Sequence, residues 1–388
     1  MHLEEIRALE KRYVMQTYGR NEIALVSGEG ARLRDSEGKE YIDLTSGIGV
    51  SCLGYHHPAL SAAISDQAQK LMHCSNLFYS EPMAQVAEHL VKSTGLSRVF
   101  FANSGAEANE AMIKTARKYS SDRYGKDRYK IITLRQSFHG RTMTTLMATG
   151  QDKFHQYFYP LPEGFAYVEA GDLAQFKSCA DEHVCAVIME MIQGEGGVLP
   201  LDQAFVQEVS AYCKAHDILV CVDEVQTGIG RTGTLFCYEQ YGIEPDIVSM
   251  AKGLGGGVPI GAILCGEKCA DTLQPGQHGS TFGGNPVCCA GAINVLNRLD
   301  ENMLAGVEER SAYIKRELTG AKGVLGVSGL GLMIGIQTEK NASDIIAACR
   351  EKGVLVIKAK DKLRLLPALN IPMEQLKKAV AVIKACCA

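Results

Sequence analysis

The sequence predicts an α/β protein with two domains, a large one built on a mainly parallel sheet and a smaller α+β one toward the C-terminus. Two observations carry this. From about Arg98 to Gly266 short apolar runs alternate with helical stretches, the pattern of strands joined by crossover helices. The chain has 388 residues, and single hydrophobic cores stop growing at roughly 250–300 residues. The expected division is an N-terminal segment, 1–45, that packs with the small domain, then a large domain, 46–284, and a small domain, 285–388.

The elements follow in order. A helix is expected from Leu3 to Tyr18, then a strand-turn-strand with turns at Gly28-Glu29-Gly30 and Ser36-Glu37-Gly38. Strands are expected at Arg98–Ala102, Lys130–Leu134, Ala186–Met189, Ile218–Val222, Asp246–Met250 and Ile260–Cys265. After Pro286 the pattern is helical, followed by a strand region at Gly329–Gln337 and a helix near Ser343–Lys352. Strands at Val354–Ile357 and Leu363–Leu366 come last.

Composition excludes several classes. A net charge of −4 and a pI near 6.2 leave no basic face for nucleic acid. No apolar run approaches the roughly 20 residues that span a bilayer. Met1-His2-Leu3-Glu4-Glu5 is acidic where a secretory signal is basic and then apolar. The 14 cysteines sit mostly in apolar segments, as Cys185, Cys221 and Cys265 do, and read as small core residues. Cys288-Cys289 and Cys386-Cys387 lack zinc-ligand spacing. A reduced, cytoplasmic protein without membrane, nucleic-acid or metal partners is expected.

Chemistry gathers where apolar runs end. Val99–Ala102 leads to Asn103-Ser104-Gly105, and Ile131–Leu134 to Ser137-Phe138-His139-Gly140-Arg141. Val187–Met189 ends at Glu190, Leu219–Val222 at Asp223-Glu224, and Ile247–Met250 at Lys252-Gly253. Ligands of open α/β sheets bind at the carboxyl ends of the strands. Five such endings in one domain describe the rim of a site.

Each residue also has a plain structural use. Ser104 can cap the helix that follows, with Glu107 completing a capping box, or its turn can expose amides to a phosphate. Asp223 can be a solvated strand end, or the acidic partner of a cationic ring nitrogen. Lys252 ends an apolar strand and enters a glycine-rich loop, Gly253-Leu254-Gly255-Gly256-Gly257, that leaves its stem unpacked. A desolvated lysine has a lowered pKa and condenses with aldehydes. The segment His278–Pro286 is either a surface loop or a source of phosphate donors for a partner subunit.

Competing chemistries lack their marks. His56-His57, His139, His183 and His216 have no ligand spacing. No Gly-x-Ser-x-Gly elbow is present. Gly228-Ile229-Gly230-Arg231-Thr232-Gly233 matches a dinucleotide fingerprint in letters, but it stands away from its strand and no helix follows.

Six segments together resemble the class III aminotransferases of fold type I, most closely the acetylornithine aminotransferase family. They are Ser104–Glu110, Ser137–Thr142, Gln193–Gly197, Asp223–Gly228, Ala251–Gly253 and Gly279–Pro286. The resemblance covers nearly the whole chain. It implies a seven-stranded, mainly parallel sheet in the large domain, pyridoxal 5'-phosphate as cofactor, and a homodimer with shared sites. It implies that Lys252 holds the cofactor as a Schiff base and shuttles the proton between Cα and the cofactor's C4′. Asp223 pairs with the ring nitrogen, Phe138 and Val225 cover the ring faces, Gln226 approaches the ring hydroxyl, and Glu190 lies near the ring. Backbone groups of Ser104, Gly105 and Ala106 hold the phosphate, joined by Thr281 from the neighbouring subunit.

The resemblance also implies the substrates, N2-acetylornithine and 2-oxoglutarate. Arg141, aided by Tyr18, holds the donor's α-carboxylate. Arg364 holds that of 2-oxoglutarate and pairs with Glu195 when the donor is present; a planar guanidinium binds carboxylates bidentately. Ile48 stands where ornithine δ-aminotransferases carry a gating tyrosine, which argues against free ornithine. Glu190-Met191-Ile192-Gln193 and Leu366-Pro367-Ala368-Leu369 depart from the usual family wording without touching a catalytic group. The alternatives are a related transaminase acting on succinylornithine, ornithine or 4-aminobutyrate, a glutamate-semialdehyde aminomutase, and a non-catalytic binder on the same scaffold.

Overall fold

A computed structural model describes residues 1–388. Its centre is a seven-stranded sheet in the order Arg98–Ala102, Gly261–Cys265, Ile247–Met250, Leu219–Asp223, Val184–Met189, Lys130–Leu134, Phe165–Val168. Only Gly261–Cys265 runs antiparallel to its neighbours. Side chains alternate between the two faces. Leu219 and Cys221 join the cluster packed under the helix Gly105–Tyr124, whereas Val220 and Val222 join the larger core on the other side. Burial on both faces is why these strands read as continuous apolar runs.

The strand Phe165–Val168 escaped the sequence reading. It is an edge strand with one buried residue in four, so it carries no apolar run. The N-terminal helix is shorter than expected. It covers Leu3–Tyr13, because Val14 turns to extended backbone (φ −111°).

The second sheet is antiparallel, in the order Val324–Leu330, Met333–Thr338, Lys362–Leu365, Ile357–Ala359. The expected strand Val354–Ile357 divides between two sheets. Val354–Leu355 pairs in parallel with Glu40–Asp43 of the N-terminal sheet, while Ile357 begins the hairpin that returns through Arg364. One core of 66 buried residues runs continuously from the central sheet into this second one. No helix is long and apolar enough to cross a membrane.

Candidate active site

A cavity of about 500 Å³ opens at the carboxyl ends of the central strands. Ser104, Gly105, Ala106, Phe138, Arg141, Glu190, Asp223, Val225, Gln226 and Lys252 all line it. They arrive from five separate strand ends, so the sheet, and no local motif, brings them together.

The helix Gly105–Tyr124 begins at the cavity. Ser104 Oγ accepts from the Glu107 amide (3.2 Å), and the Ser104 carbonyl accepts from Ala108 (3.0 Å). The capping box is only half formed: the Glu107 carboxylate turns to the backbone and side-chain amides of Asn103 (2.6 and 2.8 Å) instead of to Ser104. The amides of Gly105 and Ala106 precede the first intrahelical bond and are free to take an anion. Gly105 is needed because a Cβ there would meet Val225 Cγ1 at 2.6 Å. From the other side, a Cβ at Gly261 would meet the Ser104 carbonyl oxygen at 2.3 Å. Gly261→Ala is therefore expected to destabilise the fold by about 1–3 kcal/mol, since backbone has to move. A urea midpoint equal to that of the wild type would show that this contact does not exist.

Asp223 is 4% exposed, and nearly all its acceptor capacity is spent inside the protein. Oδ2 accepts from Asn109 Nδ2 and His139 Nδ1, both at 2.8 Å, and Oδ1 accepts from the Val225 amide at 3.0 Å. Asn109 is held in turn: its Oδ1 accepts from Ser249 Oγ (2.6 Å), and its amide also donates to the His139 carbonyl (2.8 Å). A carboxylate offers about four lone-pair sites, so one site on Oδ1 is left for the cavity. Burial alone would lower the His139 pKa, but the hydrogen bond and charge of Asp223 outweigh it and raise it. Sequence reading assigned no role to Asn109, His139 or Ser249. The available signal was an asparagine inside an apolar helical stripe, between Ala108 and Ala111–Met112.

Glu190 is 5% exposed and its Oε2 accepts from the Phe138 amide at 2.9 Å. Burial, reinforced by Asp223, pushes its pKa well up. Lys252 moves the other way: burial holds its amine below the ordinary lysine range, against the pull of Glu195 and Asp223. Its backbone has φ +45°, in the left-handed region that a side chain adopts at a cost.

The carboxylate-binding candidates divide. Arg364 is 3% exposed, and its Nη1 donates to Glu195 Oε1 (2.5 Å) and Gln226 Oε1 (3.1 Å). Burial would raise the Glu195 pKa, but Arg364 outweighs it and keeps the carboxylate below its usual range. Gln226 thus lines the cavity and holds Arg364 at once. Arg141 is exposed, lies 4.4 Å from the Phe154 ring centroid, and has no carboxylate partner. Tyr18 (75% exposed) and Thr281 are not brought to the cavity within one chain. Gly228–Gly233 forms turns, and only a short 3-10 helix, Cys237–Tyr241, follows in place of the α-helix a dinucleotide site needs.

The residues present fit pyridoxal 5'-phosphate: free amides at a helix start, a glycine where a Cβ would fill the cradle, an amine with depressed pKa, and a pinned carboxylate with one open lone pair.

The chain is similar to known proteins of one family. Residues 13–387 match the family model described as aminotransferase class-III. The chain is 51% identical to an acetylornithine aminotransferase of Haemophilus ducreyi, over 99% of this chain and 98% of the relative. It is 47% identical to one from Caldanaerobacter subterraneus subsp. tengcongensis, over 96% and 97%. Among solved structures, an N-acetylornithine aminotransferase from Stenotrophomonas maltophilia K279a superposes with a TM-score of 0.84 at 38% identity, covering 98% of this chain and 97% of that one. An ornithine aminotransferase from Toxoplasma gondii, described with partial occupancy of PLP at its active site, reaches 0.94 at 31%, over 99% and 94%. With the family model spanning every residue that lines the cavity, the chain belongs to the class-III aminotransferases.

Proposed function

We propose that this aminotransferase moves the δ-amino group of N2-acetyl-L-ornithine to 2-oxoglutarate, giving N-acetylglutamate 5-semialdehyde and glutamate, a step of arginine biosynthesis. The observation that carries the reading is the convergence of the Lys252 amine and the one open lone pair of Asp223 on a single cavity. Pyridoxal 5'-phosphate, when bound, supplies an aldehyde that takes up amino groups and a ring that accepts electrons.

The chain's own residues do the rest. Lys252, whose pKa burial lowers, would be the nucleophile that anchors the cofactor and the group that moves the proton to and from the amine-bearing carbon. Asp223, with one acceptor site left on Oδ1, would face the ring nitrogen and favour its protonated form. The Gly105 and Ala106 amides would take the phosphate, and Phe138 and Val225, which both line the cavity, would cover the ring. Arg141, exposed and free of any carboxylate, is available to the donor's α-carboxylate. Arg364, neutralised by Glu195, becomes available to 2-oxoglutarate once that pair opens, which lets one pocket serve two substrates.

The substrate assignment is supported by the names of the relatives at 43–51% identity and by Ile48 in place of a gating tyrosine. A homodimer is part of the proposal. Thr281 is exposed and outside the cavity of its own chain, which supports reading it as a residue for a neighbouring subunit. Leu77, Phe78, Tyr79 and Phe282 are exposed apolar residues suited to that contact. The cysteines are all unpaired, which supports a cytoplasmic setting. Single amino donors offered to the cofactor-loaded enzyme test the substrate. Acetylornithine is expected to discharge the lysine-bound absorbance fastest, and faster discharge by 4-aminobutyrate or free ornithine overturns the assignment.

A further inference from the structure

Gly228-Ile229-Gly230-Arg231-Thr232-Gly233 has no part in the chemistry above, yet it holds the most unusual charge in the molecule. Arg231 is 2% exposed and none of its donors meets a carboxylate. Its Nη1 donates to the carbonyls of Leu332 (3.2 Å) and Pro367 (2.5 Å), its backbone carbonyl accepts from the Leu332 amide (2.9 Å), and Nη2 is buried without a partner. Burial pushes its pKa down to about 10, so the charge persists at neutral pH. The ionisable group acting on it is the Cys52 thiol, which burial pushes up to about 11 and keeps neutral.

Burying a guanidinium without a counter-ion is costly, and an apolar side chain of similar volume commonly serves a purely structural joint as well or better. What the guanidinium adds is direction, and both of its carbonyl partners flank strands of the sheet that carries Arg364. Leu332 precedes the strand Met333–Thr338, whose Gly335 pairs with Arg364, and Pro367 follows two residues after that strand's partner, Lys362–Leu365. The return link is Arg364 to Gln226 (3.1 Å), a few residues before Arg231 on the same loop. The glycines make the close fit: a Cβ at Gly331 would meet the Arg231 carbonyl oxygen at 2.6 Å, and one at Gly230 would meet Leu299 Cδ2 at 2.9 Å.

We propose that Arg231 is a positioning residue that, by holding the Leu332 and Pro367 carbonyls, fixes the Arg364 guanidinium against Gln226 and Glu195 and so sets the pocket for the dicarboxylate amino acceptor. This rests on reading Arg364 as the carboxylate binder. The test uses the cofactor-loaded enzyme and glutarate, a dicarboxylate that cannot react, titrated calorimetrically. Arg231→Met should weaken glutarate by about tenfold or more, as small misplacements of binding groups do. KM for 2-oxoglutarate should rise in step while the rate with saturating amino donor changes by less than about threefold, the signature of lost acceptor binding alone. Arg231→Lys should lie between Met and wild type. A lower unfolding temperature with glutarate affinity unchanged would make Arg231 a staple and overturn the proposal. If Arg231→Met does not fold, Arg231→Lys and Gly331→Ala disturb the same joint, and unchanged glutarate affinity in both overturns it too. A wild-type enzyme that ignores glutarate would instead remove the reading of Arg364, and the proposal with it.

Discussion

Replacing Lys252 by alanine is expected to lower transamination by roughly 10³-fold or more, because one side chain is asked to do two jobs. It is the nucleophile that condenses with the cofactor aldehyde, and it is the base that then moves the proton, a role that alone contributes about 10²–10⁴-fold. The physical basis is its setting: burial depresses the amine's pKa while Glu195 and Asp223 stop it falling further. The variant should still fold, since its side chain faces the cavity. It should also still bind cofactor, since the helix-start amides and Asp223 are untouched. The covalent link should disappear. Borohydride reduction followed by mass spectrometry should find cofactor on Lys252 in the wild type and on no lysine in the variant. Wild-type turnover in Lys252→Ala would end the assignment.

How legible such a site is in sequence depends on where its residues lie. The strands that carry it are buried on both faces, so they stand out as apolar runs, and a polar residue at the end of such a run is conspicuous. That made Asp223, Glu190 and Lys252 candidates from the residues alone. Phe165–Val168 was lost because an edge strand needs no apolar run. Val354–Ile357 was misjudged because one short apolar stretch serves two sheets, and only tertiary pairing decides where it breaks. Partnerships across long separations were not legible by spacing at all. Arg364 and Glu195 lie 169 residues apart and Asn109 and Asp223 lie 114 apart; the first pair was expected only from the family resemblance, and the second was not foreseen. The glycine-rich hexapeptide around Arg231 shows the opposite hazard. Its letters match a phosphate loop, but its glycines leave room for Glu224 and Phe236, for Leu299 and for Glu308.

The second large effect is expected for Asp223→Asn, and hydrogen-bond polarity dictates its form. The substitution keeps the shape and replaces one acceptor oxygen by an NH2 group. Asn109 Nδ2 and His139 Nδ1 both donate to the Oδ2 position, so the amide oxygen must stay there and the NH2 group must take the Oδ1 position. There it opposes the Val225 amide, which donates to Oδ1 in the wild type. It also points a donor at the ring nitrogen, which can then only accept, so the ring loses the proton that makes it an electron sink. The loss resembles removal of a preorganised electrostatic partner, about 10²–10³-fold in turnover. It should fall on the rate at saturating donor, with KM for 2-oxoglutarate little moved, because Arg364 is untouched. Enzyme loaded with nitrogen-15-labelled cofactor should show the ring nitrogen protonated in the wild type and unprotonated in Asp223→Asn. A protonated nitrogen in the variant, or a rate within about threefold of wild type, would mean that Asp223 merely anchors His139 and Asn109.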